Sequence, residues 1–194
     1  MRLGRFTVTG GFVLLWGFMV FLGEGRLLAL CLATALTHEL GHLAAVWLCG
    51  GQVETIELNA AGAVIRLGRK KPLSYPREIA CVLAGPFASL ACALIFCFIN
   101  VTIASAAAGM CLVQGAFNLL PAQGLDGGRA LLLYLESREH PRASVIVRVT
   151  TVCAALALTA FCAAAFVYGG GFMTLCVAAF ALTAMLGGIE TRYL

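Results

Sequence analysis

The run from Leu27 to Leu48 carries no Lys, Arg or Asp, and its only acidic or imidazole side chains lie in His38-Glu39-Leu40-Gly41-His42. As a helix at 1.5 Å per residue it is about 33 Å long, enough to cross the hydrocarbon core of a bilayer. Ionisable groups inside such a segment are expensive, so they are expected to have a use. The pattern reads H-E-x-x-H. Residues i and i+4 share a helix face, so His38 and His42 can grip one metal ion between them. Neutral imidazole suits zinc. Glu39, one residue after the first ligand, is within reach of a water on that ion and can take its proton as general base. The alternative, two core histidines and a stray glutamate, fits a soluble helix better than an intramembrane one.

The rest of the chain supports a membrane setting. Hydrophobic residues make up 61% of the 194 positions and charged ones 11%, against roughly 45–50% and 25% in soluble domains. The formal charge of +4 does not point to nucleic acid, because the basic residues are scattered between apolar runs. The nine cysteines form no C-x-x-C pair and lie mostly within those runs; they are expected to be small buried apolar residues.

Six spans are predicted, at about 10–23, 27–48, 78–100, 101–120, 144–168 and 172–186. Met1–Thr9 reads as a short charged leader to the first, which lacks a small-residue cleavage site and is expected to stay attached. Leu83-Ala84-Gly85-Pro86 predicts a break inside the third span. Val53, Thr55, Ile56, Leu58, Val64, Ile65 and Leu67, around Asn59-Ala60-Ala61-Gly62, predict a β-hairpin over Gln52–Leu67. The expected fold is therefore an all-α polytopic membrane protein with one small hairpin, in a single membrane domain over 1–194 and with a catalytic core over about 27–136. With a cytoplasmic N-terminus, every Lys and Arg except Arg26 falls inside, which predicts two cytoplasmic termini.

A catalytic zinc takes three protein ligands and keeps one open position. Asp126 is the only aspartate in the chain. It follows the fourth span, which runs in the same direction as the second. Pro121 stops the helix, and Gly124, Gly127 and Gly128 permit tight turns. Spacing leaves two roles open for Asp126: third ligand, or N-cap of a short helix over Arg129–Glu136. His140 sits in a polar loop and is expected to be solvated.

Taken together, His38-Glu39-Leu40-Gly41-His42 and Asn118-x-x-Pro121-x-x-x-x-Asp126-Gly127 are similar to the paired motifs of the site-2 protease family of intramembrane zinc metalloproteases (peptidase M50). The arrangement most resembles the stage IV sporulation branch, with six spans and these motifs in the second and fourth. The resemblance implies one zinc held by His38, His42 and Asp126, with Glu39 as catalytic acid/base. It implies Asn118 as a substrate-positioning or oxyanion-stabilising residue, and the hairpin as an edge for an extended substrate. The substrate it implies is a membrane-associated or single-span protein, such as a tethered pro-sigma or anti-sigma factor, in a bacterial cell membrane. There are two departures. Ser89 stands where the family often has Asn after Gly-Pro. The chain also ends at Leu194 with neither a CBS nor a PDZ domain, so regulation is expected from a membrane partner, lipid composition or substrate access. Two other classes compete. A ZIP-like zinc transporter needs further ligands on a neighbouring span, and no other span carries His or Asp. A non-catalytic scaffold of the same family has no need of intact ligands and base.

Overall fold

The computed structural model describes residues 2–3, 6–8, 25–51, 53–59, 62–67, 73–99, 102–170 and 182. The described chain is mostly helical and divides into two compact units, Met1–Ala116 and Phe117–Leu194.

In the first unit, α1 covers Gly25–Leu48. Its Leu- and Ala-rich sequence favours helix, and the helix stops where Gly50 adopts φ 74°. Gly50 N–H donates to the Trp47 carbonyl at 3.1 Å and Gly51 N–H to the Val46 carbonyl at 2.9 Å. That pair of bonds is a Schellman cap, which uses carbonyls the helix would otherwise leave unsatisfied. The second long helix, α2, covers Tyr75–Cys97 after an extended Ser74, with Pro76 in its first turn. Proline is tolerated there because the first N–H groups have no intrahelical partner. The predicted break at Gly85-Pro86 does not occur: α2 is continuous, with Pro86 inside it. One proline removes one N–H from the ladder, and the buried neighbours hold the rest of the helix together. The next helix, α3, covers Thr102–Asn118 and ends two residues into the second unit.

α1 and α2 pack through small residues. A Cβ added at Gly41 would lie 2.6 Å from the Ala88 Cβ and 2.7 Å from the Ala84 carbonyl oxygen. Close approach through Gly and Ala is how helices associate in lipid. α3 meets α2 in the same manner, with Gly115 against Leu90 and the Pro86 carbonyl.

A four-stranded sheet also belongs to this unit, in the order β1 (Arg2–Leu3), β2 (Phe6–Val8), β3 (Val53–Asn59), β4 (Gly62–Leu67). β3 and β4 are antiparallel, with Asn59 opposite Gly62 and Val53 opposite Leu67. β2 runs parallel to β3, with Phe6 opposite Ile56. The N-terminal stretch is thus more than the charged leader expected for it: it adds strands to the sheet. Parallel pairing of this kind needs a long crossover, and the segment between β2 and β3, which includes α1, supplies it.

In the second unit, α4 covers Asp126–Ser137 and α5 covers Ala143–Ala165. A π-type turn follows over Phe166–Gly170. Ala143, Val147, Thr151 and Ala155 form one buried face of α5. Ala155 joins Ala122 and Leu125 in a small apolar core.

Three helical segments are long and apolar enough to span a membrane: Ala29–Leu48, Tyr75–Cys97 and Ala143–Gly169. They correspond to the second, third and fifth predicted spans. The fourth, expected at 101–120, is a helix of 17 residues, about 26 Å long and at the short end of the roughly 17–25 residues of membrane spans. The first, at 10–23, lies outside the described residues, as does the sixth, at 172–186, apart from Leu182. Large apolar side chains such as Leu36, Trp47, Leu94 and Phe161 point outward, as hydrocarbon favours and water does not. The eight described cysteines are free. They are not uniformly buried as expected: Cys97 and Cys153 are exposed, on outward helix faces where an apolar thiol suits lipid.

Candidate metal centre

α1 presents His38 and His42 one turn apart, toward α2. The two Nε2 atoms are 3.2 Å apart, with the rings edge to face at 84°. Each Nδ1 has its own partner on α2. His42 Nδ1 lies 2.9 Å from the Cys81 backbone carbonyl, and His38 Nδ1 lies 3.1 Å from Ser89 Oγ. A carbonyl only accepts, so His42 Nδ1 carries the proton and its Nε2 carries the lone pair. Ser89 Oγ can accept in the same way from His38. An imidazole that donates one N–H to a fixed acceptor and offers its other nitrogen is in its metal-binding form.

The donor set fits zinc. Two nitrogens each about 2.0–2.1 Å from one tetrahedral ion lie about 3.3–3.4 Å apart, and the observed separation is 3.2 Å. Space for the pair comes from Gly85, where an added Cβ would fall on the His42 imidazole at Nε2. His38 is 5% exposed and Ser89 0%, so the contact between them is buried. Glu39 follows His38 on α1 and is half-buried.

Asn118 and Asp126 belong to the second unit. Asn118, half-buried, is the last residue of α3. The chain then turns sharply. Ala122 N–H donates to the Leu120 carbonyl at 2.8 Å, and Leu125 N–H to the Ala122 carbonyl at 3.1 Å. Gly124 takes φ 84° within this turn. Asp126 opens α4 and is half-buried. It is not the N-cap: Leu125 holds that position, with extended backbone and no side-chain cap bond, and the helix starts three residues before Arg129.

The glycines after Asp126 act through close approach, not through positive φ. A Cβ at Gly127 would overlap the Leu119 carbonyl, and one at Gly128 the Ala122 carbonyl. The Asp-Gly-Gly sequence thus lets the start of α4 sit directly on the turn that precedes it. His140 is exposed, as expected, and its Nδ1 accepts the Arg142 N–H at 3.2 Å.

Two partners of the histidines were not assigned from sequence. The Cys81 carbonyl leaves no trace in a side-chain pattern. Ser89 does: it is a hydroxyl in the apolar middle of α2, one turn after Gly85, where an unassigned polar group in lipid calls for a partner.

Residues 8–122 match the Peptidase M50B-like family. Rip3 of Mycobacterium tuberculosis, which is named as a zinc metalloprotease, is 35% identical over 165 residues in each of two strains, Erdman and H37Rv. The match takes in 77% of this chain and 41% of Rip3, so the chain spans about two-fifths of the length of these relatives. Among solved structures, the site-2 protease from Methanocaldococcus jannaschii shares the fold, with a TM-score of 0.65 over 100% of this chain and 95% of that one, at 20% identity.

Proposed function

The chain belongs to the Peptidase M50B-like family, and on that footing we propose that it is a zinc-dependent intramembrane endopeptidase. The observation that carries this reading is the convergence of two imidazole Nε2 atoms at 3.2 Å, each ring anchored to α2 through its Nδ1. His38, His42 and Asp126 are assigned as the zinc ligands, two nitrogens and one carboxylate, a donor set of known catalytic zinc sites. A zinc ion held by these residues would supply the Lewis acidity that activates water and polarises the scissile carbonyl. Glu39 takes the proton from the attacking water and delivers it to the leaving amine. Asn118 orients the substrate backbone or donates to the oxyanion.

The substrate in this reading is a membrane-tethered or single-span protein. A helical segment has its carbonyls tied up in i→i−4 bonds and must unwind before attack. β4 has a described neighbour only on its β3 side, and an unwound segment can add to such an edge strand. We further propose six spans with both termini cytoplasmic, which follows from the distribution of Lys and Arg. The physiological setting in this reading is regulated proteolysis of a membrane-tethered pro-sigma or anti-sigma factor, in sporulation or stress signalling, as the motif resemblance implies.

Asp126→Asn tests the assignment. Asn keeps the size and the helix start but is neutral and a poor zinc ligand. The variant should remain folded in the membrane and lose most of its zinc and its cleavage activity. Full zinc stoichiometry and turnover in Asp126→Asn would mean that another group completes the site.

A further inference from the structure

We propose that Thr151, on α5, is a positioning residue for Asp126: its hydroxyl locks the turn that places the carboxylate for the metal. This rests on the reading of Asp126 as a zinc ligand.

Thr151 is 0% exposed, in the middle of an apolar helix. Its Oγ1 donates to the Val147 carbonyl one turn back, at 2.6 Å. That bond uses the only hydroxyl proton and fixes the rotor, so the lone pairs are left to face outward from α5. Gln123 N–H donates to the same oxygen at 2.8 Å. The hydroxyl is therefore an oriented acceptor for one backbone N–H in the turn before Asp126.

The rest of that turn has no freedom to absorb the loss. Ala122 is 0% exposed and Leu125 6% exposed, and both pack against Ala155, one turn beyond Thr151 on the same face of α5. The Leu125 N–H is already committed to the Ala122 carbonyl, and the first bond of α4 runs from Arg129 N–H to the Leu125 carbonyl. Gly128 lies so close to the Ala122 carbonyl that no side chain fits between them. Residues 122–125 are thus held from below by an apolar contact and from the side by one hydrogen bond, and Asp126 is the next residue. A carboxylate on a loop is positioned only as well as its supporting shell. Nothing in the sequence marks this threonine. Thr150 precedes it, and threonines in spans commonly bond back along their own helix, as Thr150 does to the Val147 carbonyl.

The test uses the full chain purified in detergent micelles, with Zn²⁺ alone as the probe and a chelator competition as the readout. Thr151→Val keeps the shape and removes the acceptor of the Gln123 N–H. Zinc binding should weaken by about 10–100-fold, the usual effect of losing a residue that supports a metal ligand. Thr151→Ser restores the acceptor and should bind zinc as the wild type does. With Co²⁺ in place of Zn²⁺, the visible ligand-field bands should shift in the valine variant and return in the serine variant, which a purely structural effect would not produce. Thr151→Ala gives the same reading if the valine variant does not accumulate in the membrane. Asp126→Asn is measured in parallel. If it loses zinc while Thr151→Val and Thr151→Ala bind as wild type, the role of Thr151 is wrong and that of Asp126 stands. Equal losses in Thr151→Ser and Thr151→Val would also overturn the proposal, since packing and not the hydroxyl would then matter. If Asp126→Asn keeps wild-type affinity, the ligand assignment fails and takes this inference with it.

Discussion

Gly85→Ala separates the two demands on α2, to be a helix and to leave room for an imidazole. By intrinsic propensity the change favours the helix, by about 0.8–1.0 kcal/mol. By position it does not, because the new methyl would overlap His42 Nε2. The ring cannot swing aside freely: its Nδ1 is held by the Cys81 carbonyl at 2.9 Å, and breaking that bond costs about 0.5–1.5 kcal/mol. Overpacking costs typically about 1–3 kcal/mol. These opposing terms leave the metal-free protein about 0.5–3.7 kcal/mol less stable, so the variant should still fold. The metal site fares worse. Displacing a ligand costs more than losing its support, so zinc affinity should fall by at least about 100-fold, or about 2.7 kcal/mol. Chelator competition on the purified protein measures this, with circular dichroism as a check on helix content. Gly109→Ala is the control, because a Cβ there meets nothing within 4 Å; it should leave zinc binding unchanged. A folded Gly85→Ala variant that binds zinc as tightly as wild type would refute the placement of His42 against α2.

Ser89→Ala should bind zinc about 10–100-fold more weakly, because it leaves His38 Nδ1 without the hydroxyl at 3.1 Å; unchanged affinity in the same competition assay would show that the contact does not orient the ring. Reporter fusions at the two ends should both read as cytoplasmic, and an external Leu194 would break the six-span topology.

The pairing of His38 with His42 on α1 was legible because a His pair at i, i+4 is a local pattern that helix geometry alone brings together. The same held for α1, α2 and α5, whose apolar lengths identify them as spans. Elsewhere the sequence misled in ways that have physical causes. Pro86 read as a break, yet the helix runs through it, since the cost of one missing N–H is local and the packing around α2 is not. Asp126 had the residue type of an N-cap, yet Leu125 occupies that position. Cap preference is worth about 1 kcal/mol, and the close packing of Gly127 and Gly128 on the preceding turn fixes where α4 begins. The partners of the two histidines come from α2, 39 and 51 residues further along the chain. Such contacts are set by helix packing, and no periodicity within either segment encodes them. The strands β1 and β2 were missed because they are only 2 and 3 residues long, too short for an alternating pattern to register.

Glu39→Gln is the most direct test of a zinc endopeptidase, because glutamine nearly matches glutamate in shape but cannot accept the water's proton. Wild type and variant are reconstituted with host membrane proteins in vesicles, zinc is quantified in each preparation, and new N-termini are mapped by mass spectrometry. Both preparations should carry one zinc per chain, and only the wild type should generate cleavages within or beside membrane-spanning segments. Equal cleavage by Glu39→Gln, or full cleavage by protein stripped of zinc, would contradict metal-dependent proteolysis through this residue.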